Sequence, residues 1–196
     1  RREMVDSLSN GRLAYIHIPA MSSSRLEKFK EELVAIAEPK EGLVIDVRNN
    51  GGGNIAVHLL EILVKTPYFL RNFRDFPVTS ENKMRSKALE KPMTLLINSY
   101  SASNSEIFAE GFRKLELGKI VGEPTAGAVI GTSSYTLIDG TRIRRPSWGA
   151  FTIEMEDTDL KRRYPDIMVE NLPDDFIEGR DPQLVRAVKE LMRELP

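Results

Sequence analysis

Met93-Thr-Leu-Leu-Ile-Asn-Ser-Tyr-Ser-Ala-Ser-Asn-Ser-Glu-Ile-Phe-Ala-Glu-Gly-Phe112 runs from an apolar pentad through small polar residues into an amphipathic helical pattern. A short apolar run bounded by turn residues reads as a strand buried on both faces. Ser103 stands where that strand gives way to the helix. A serine there can be held on a tight turn with its hydroxyl exposed beside the free N–H groups of the first helical turn, which suits a nucleophile. Ser101, Ser103 and Ser105 are also all helix-capping types, and a serine before a helix is usually only a cap.

The flanking sequence repeats the strand-then-helix order. Residues 12–18 read as a strand closed by Pro19. Ser24-Arg-Leu-Glu27 has the form of a capping box that opens a helix to about Glu38. Gly42-Leu-Val-Ile-Asp-Val47 is a second buried-strand run, so strand, helix and strand imply a parallel sheet. Asn49-Asn-Gly-Gly-Gly53 follows, then a helical pattern through Ile55, Leu59, Leu60, Ile62 and Leu63. Three successive glycines imply positive φ or close approach by another group. Glycine before a helix suits an oxyanion or phosphate, although a permissive turn reads the same way. No Gly-Lys-Ser/Thr follows, so it is not a P-loop.

From Thr66 to Pro92 the periodicity is poor, as in a long lid or surface connection. Its aromatics Tyr68, Phe69, Phe73 and Phe76 read as cover for the core. Lys119–Gly122 is a further strand. Beyond it the period shifts towards two: Ser134–Ile138 and Thr141–Arg145 flank Asp139-Gly140 as a hairpin, and Thr152–Met155 reads as another strand. Asp181-Pro182 opens a final helix through Val185, Val188, Leu191 and Met192. The reading is one α/β domain over residues 1–196.

Composition narrows the function classes. With 28 basic and 29 acidic residues the net charge is −1, so bulk electrostatics gives no case for nucleic acid or an anionic membrane. No apolar run approaches the roughly 20 residues of a membrane span. The absence of cysteine excludes disulfides, thiol catalysis and cysteine-ligated metals.

Taken in order, Tyr15-Ile-His-Ile-Pro19, Gly42-Leu-Val-Ile-Asp-Val-Arg-Asn-Asn-Gly-Gly-Gly53, Asn98-Ser-Tyr-Ser-Ala-Ser-Asn-Ser-Glu-Ile-Phe108 and Gly118-Lys-Ile-Val-Gly-Glu-Pro-Thr125 resemble the tail-specific and tricorn protease family of serine peptidases. Leu137-Ile-Asp-Gly-Thr141, Pro165-Asp-Ile167 and Gly179-Arg-Asp-Pro-Gln183 extend the likeness, and the last catalytic domain of tricorn proteases fits best. The resemblance implies a crotonase/Clp protease-like spiral of ββα units around a mostly parallel sheet, with a C-terminal helix. It places the nucleophile on Ser103 and the oxyanion hole on the backbone N–H groups of Gly53 and Asn104. The glycines then have a reason, since a Cβ near Gly53 would obstruct the substrate backbone. Gly52, Arg71 and Ala128 fall among the substrate-binding positions.

The base is the point of departure. Tail-specific relatives use a lysine after Gly-Glu-Pro-Thr-x-Gly, where this chain has Ala128. Tricorn members use a histidine from a preceding domain, assisted by a glutamate shortly before Pro-Asp-Ile. Here that acid is Glu156, with Glu154 and Asp157 as alternatives. The two histidines present, His17 and His58, read as structural. The resemblance thus implies a fragment of a longer cytoplasmic homo-oligomer that acts on peptide substrates with its upstream domains, without cofactor or metal. It implies an isolated chain that is nearly inert. A non-catalytic peptide- or ligand-binding module on the same fold is the alternative, and an acyl-CoA enzyme of crotonase type a weaker third.

Gapless motif counting brings Arg71 to a position where tricorn proteases carry an acid associated with basic substrates. A cation there would repel Lys or Arg. The assembled enzyme is therefore expected not to prefer basic residues before the scissile bond. Peptide-library profiling of the longer protein beside Arg71→Asp checks this: a trypsin-like preference unchanged by the substitution removes Arg71 from the site.

Overall fold

Apolar runs with no polar side to turn towards water must be covered on both faces, and two strands meet that condition along their full length. In this computed structural model, which describes residues 1–65, 74 and 89–195, the elements follow in chain order. They are α1 (Arg2–Leu8), β1 (Leu13–His17), α2 (Ser23–Glu32), β2 (Gly42–Asp46), α3 (Ala56–Leu63), β3 (Met93–Ile97) and α4 (Asn104–Lys114). There follow β4 (Gly118–Gly122), β5 (Ile130–Thr136), β6 (Arg142–Gly149), β7 (Ile167–Met168), α5 (Pro173–Ile177) and α6 (Pro182–Glu194). The sheet is parallel throughout in the order β1-β2-β3-β4-β7, and β5 with β6 forms a separate antiparallel hairpin.

Alternation along the central strands divides the core. Leu43, Ile45, Leu95 and Ile97 pack with Phe29, Leu59, Phe108 and Phe112 from α2, α3 and α4. Val44 and Leu96 face the other way, onto Val5 of α1 and Leu184, Val188 and Leu191 of α6. Gly111 lets α3 and α4 approach closely, since a Cβ there would displace the end of the Leu60 side chain. The expected α/β class, mostly parallel sheet and C-terminal helix are all present.

Several local expectations need correction. Ser24 lies inside α2 rather than capping it; Ser22 is the N-cap, without a side-chain cap bond, and the helix ends in a π-helical turn at Leu33–Ala37. Thr152–Met155 is no strand but a turn between the isolated bridge residues Phe151 and Asp157. The hairpin reaches further than expected at its open end, to Ile130 and Gly149, and stops short at its turn, where Leu137, Ile138 and Thr141 lie outside the strands. Both α1 and α5 went unread, each too short for its periodicity to show. Residues 66–73 and 75–88, with the four aromatics, lie outside the described part.

A buried ion network ties the end of β2 to α6. The Arg48 guanidinium, 1% exposed, donates to Asp46 at 3.0 and 2.7 Å and to Asp181 at 2.7 and 2.8 Å. Tyr15 adds its hydroxyl to Asp46 at 2.7 Å, and Asp181 also caps α6 by accepting the Leu184 N–H. Burial by itself would raise the Asp181 pKa, but its bonds from Arg48 outweigh that and leave it below the ordinary carboxylate value.

A carboxylate depressed in the folded state stabilises fully above its unfolded pKa of about 3.9, and that contribution is lost as pH falls through the lower folded value. Unfolding free energy is accordingly expected to decline below about pH 4. Asp181→Asn, which leaves Arg48 half-paired, should cost about 3 kcal/mol near neutrality and give a shallower acid limb. Denaturant titrations from acid to neutral pH measure both, and identical acid limbs would discount Asp181.

Candidate active site

Two crossover turns leave the carboxyl ends of β2 and β3, the usual place for a ligand crevice in a parallel sheet. They are bonded together at several points. Asn49 N–H donates to Asn98 Oδ1 (2.9 Å), and Asn98 Nδ2 returns to Asn49 Oδ1 (3.0 Å). Ser101 Oγ donates to the Val47 carbonyl, while the Ala102 N–H and Ser105 Oγ both reach the Asn50 carbonyl. Buried Asn50 braces its own loop, donating to the Ile18 carbonyl and accepting the Gly52 N–H. Ser101 and Ser105 are thus structural, with their hydroxyls committed to backbone.

Ser103 differs from its neighbours. It has φ 56° and ψ −119°, a left-handed conformation unfavourable for a residue with a Cβ. Its hydroxyl makes no cap bond to α4. The capping is done from the other side: Glu106 Oε2 accepts the Ser103 N–H at 2.9 Å. A strand-to-helix serine on a strained turn, its Oγ not spent on the helix, is the geometry of a nucleophile elbow.

The glycines are explained by neighbours within the chain. A Cβ at Gly52 (φ 102°) would lie 2.7 Å from Ser103 Cβ and 2.9 Å from the Ala102 carbonyl. At Gly53 (φ 146°) it would strike the Met21 carbonyl, because Met21 and Gly53 form a parallel bridge flanked by Met21 N–H to Gly52 O and Asn54 N–H to Met21 O. The expected substrate clash at Gly53 is therefore replaced by an internal one. Among the described residues neither the Gly53 nor the Asn104 backbone N–H has an acceptor. Asn104 Oδ1 meanwhile accepts the Ala56 N–H, locking the start of α4 to that of α3.

Glu106, 1% exposed, was not singled out by the sequence reading. Its carboxylate accepts four bonds: Thr125 Oγ1 (2.6 Å) and Gly127 N–H (2.8 Å) at Oε1, and Ser103 N–H and Ala128 N–H (both 2.9 Å) at Oε2. Ala128 is thereby brought beside the Ser103 turn. The Ser103-x-x-Glu106 spacing of a capping box was the available signal.

Glu156 is not brought there. It is exposed, with its carboxylate 4.0 Å from Lys161; Glu154 pairs with Lys114 at 2.5 Å, and Asp157 is exposed. The acid of this segment that touches the site's wall is Asp159, whose Oδ1 accepts the Val129 N–H at 3.1 Å. His58 lies on the exposed side of α3, 3.5 Å from Glu61. His17 ends β1, its pKa lowered chiefly by burial. Arg71 lies outside the described residues. Beside Glu106, a largely apolar pocket of about 250 Å³ runs along α4 between Ile107, Gly111, Leu60, Val129 and Phe151.

The model of peptidase family S41 matches residues 12–169. The chain is 34% identical to the tricorn protease of Thermoplasma volcanium over 202 residues, covering 99% of this chain and 19% of that protein. It is 35% identical to the tricorn protease homolog of Saccharolobus solfataricus, covering 99% and 18%. A crystal structure of tricorn protease superposes with a TM-score of 0.89 at 30% identity, over 98% of this chain and 19% of that one. The chain thus spans about a fifth of the length of these relatives.

If Glu106 holds the turn, Glu106→Gln should replace an acceptor by an amide group facing two donors. Charged hydrogen bonds contribute about 1.5–3 kcal/mol each, so a loss of about 3 kcal/mol in unfolding free energy is expected. Denaturant unfolding checks it, and a change within experimental error would contradict the bracing role.

Proposed function

The chain belongs to peptidase family S41, and we propose that it hydrolyses peptide bonds with Ser103 as nucleophile. The observation that carries this reading is the left-handed Ser103 backbone, with a hydroxyl not used to cap the helix it precedes. In the proposed reaction Ser103 Oγ attacks the scissile carbonyl carbon and gives its proton to a base. The Gly53 and Asn104 N–H groups take up the charge developing on the carbonyl oxygen, each worth about 3 kcal/mol in the transition state. The positive end of α4 adds to that field. The base then passes that proton to the scissile nitrogen, the C–N bond breaks and the amine leaves an acyl-enzyme; water, giving its proton to the same base, attacks the acyl carbon, and the proton returns to Ser103 Oγ as the acid product departs.

Ala128 supplies no side-chain base, and Ser103 Oγ has no hydrogen-bond partner among the described residues. We assign the base to a histidine on an upstream domain of a longer cytoplasmic protein, as the tricorn likeness implies. The acid that orients it belongs to the 154–159 segment, where Glu156 is open to an incoming domain and Asp159 is already tied to the site's wall. Gly52 and Ala128 flank the substrate backbone, Arg71 disfavours basic side chains, and the pocket along α4 takes an apolar one. Among the described residues no helix is long and apolar enough to cross a membrane.

The second reading, a non-catalytic module that holds peptides on the same surface, is favoured by Ala128 alone. A reactive phosphonate separates the two. It should label Ser103 in the longer protein, and Ser103→Ala should abolish the label and lower kcat/KM by about 10³-fold or more. Full peptidase activity in Ser103→Ala would remove the nucleophile, whereas peptide binding without label or turnover would favour the module.

A further inference from the structure

Glu106, Glu110 and Arg113 of α4 recur at helical spacing and share one face of the helix. Each holds part of the chain that follows β4. Glu106 takes the Thr125 hydroxyl and the Gly127 and Ala128 N–H groups. One turn on, Glu110 Oε2 accepts from the Arg163 guanidinium at 3.0 Å, and Arg113 pairs with Asp166 and donates to the Tyr164 carbonyl. The helix that begins directly after Ser103 thus carries both the 125–128 loop and the 158–166 segment.

These two stretches are also bonded to each other, through fully buried Thr125. Its N–H donates to the Arg163 carbonyl at 3.0 Å, and its Oγ1 accepts the Arg163 N–H at 2.7 Å. A backbone N–H can only donate, so the Thr125 hydroxyl proton is directed to Glu106 Oε1, 2.6 Å away. The chain of bonds then has one direction: Arg163 N–H to Thr125, Thr125 hydroxyl to a carboxylate that also accepts the Ser103 N–H at 2.9 Å. The Arg163 side chain, 13% exposed, completes the arrangement. Besides Glu110 it donates to the carbonyls of Lys161 at 3.1 Å and Thr158 at 3.4 Å, so one guanidinium gathers the 158–163 loop against α4. Asp159 of that loop holds the Val129 N–H.

We propose that Thr125 and Arg163 are positioning residues for the Ser103 reaction. Thr125 fixes the carboxylate that bears the Ser103 turn, and Arg163 keeps the acid-bearing 154–159 segment in register with that turn. The inference rests on the reading of Ser103 as nucleophile. A nucleophile and the acid that orients its base come here from separate parts of the chain, and a misplacement of about 1 Å between such groups costs about 10²-fold in rate.

Steady-state kinetics of the longer protein tests the assignment. Thr125→Val removes the hydroxyl at nearly constant volume and should lower kcat by about 10²-fold with KM unchanged. Thr125→Ser keeps both bonds and should restore most of that loss. Arg163→Met keeps the stem without the guanidinium and should lower kcat about tenfold or more, again at constant KM. Arg163→Lys can still pair with Glu110 but lacks the fork for the two carbonyls, so it should recover only part of the activity. Circular dichroism and thermal unfolding identify the folded variants, and if Thr125→Val does not fold, the Arg163 variants decide. Lowered thermal stability with kcat unchanged overturns the proposal. So does a loss that Thr125→Ser fails to restore, or a raised KM at constant kcat. Ser103→Ala assayed alongside separates the two levels. Full activity there removes the nucleophile itself, whereas an inactive Ser103→Ala beside unaltered kcat in Thr125→Val and Arg163→Met overturns the positioning alone.

Discussion

One carboxylate holds the candidate site together. Glu106 receives four hydrogen bonds, three from the loop 125–128 (the Thr125 hydroxyl and the Gly127 and Ala128 N–H groups) and one from the backbone of Ser103. Buried charge of this kind is tolerated only when its lone pairs are filled, and here they are. A left-handed non-glycine residue costs on the order of 1–3 kcal/mol and persists only where its surroundings over-determine it. Glu106 does so from one side, and Gly52 from the other: with no Cβ, it lets the elbow sit against the glycine loop. The strain at Ser103 thus follows from two strand-ends being drawn over one another.

The same contacts decide what the glycine loop is for. Sequence reasoning assigned Gly53 to the substrate, because the loop was read as a cradle with only a ligand to accommodate. In the folded chain the β1–α2 connection passes closer than any ligand, and the Met21 carbonyl occupies the space a Gly53 side chain would need. The parallel bridge bonds Met21 to Gly52 O and Asn54 N–H, on either side of Gly53, so the Gly53 N–H itself is left without an acceptor among the described residues. Shape of the loop and availability of its N–H group are one consequence of the same packing.

What could be read from the chain divides along similar lines. Strands β2 and β3 were legible because continuous burial writes an uninterrupted apolar run, and α6 because Asp181-Pro182 and its apolar spacing agree. Ser103, Gly53 and Asn104 were grouped as a set only through ordered resemblance, since each alone reads as a cap or a turn. Glu106 was missed because its role depends on donors from residues 125–128, which spacing cannot bring near it. Glu156 was favoured by counting back from Pro165-Asp-Ile167. The turn at 152–155 absorbs residues that a strand would have extended, leaving Asp159 on the wall instead. Short α1 and α5 lack the two or three turns that periodicity needs.

The molecule is unevenly finished. Its sheet and covering helices enclose two continuous apolar cores and pair the buried charges at the end of β2, as the Arg48 network shows. Beyond Val129 that ceases: β5, β6 and the segment to Leu160 expose aromatic and aliphatic side chains along most of their length. The change occurs at the residue whose N–H is held by Asp159, one step from Ala128 on the Glu106 carboxylate. The Ser103 turn and an uncovered hairpin are therefore joined by a few hydrogen bonds. The hairpin springs from residues whose backbone is already fixed by Glu106 and Asp159 beside the Ser103 turn.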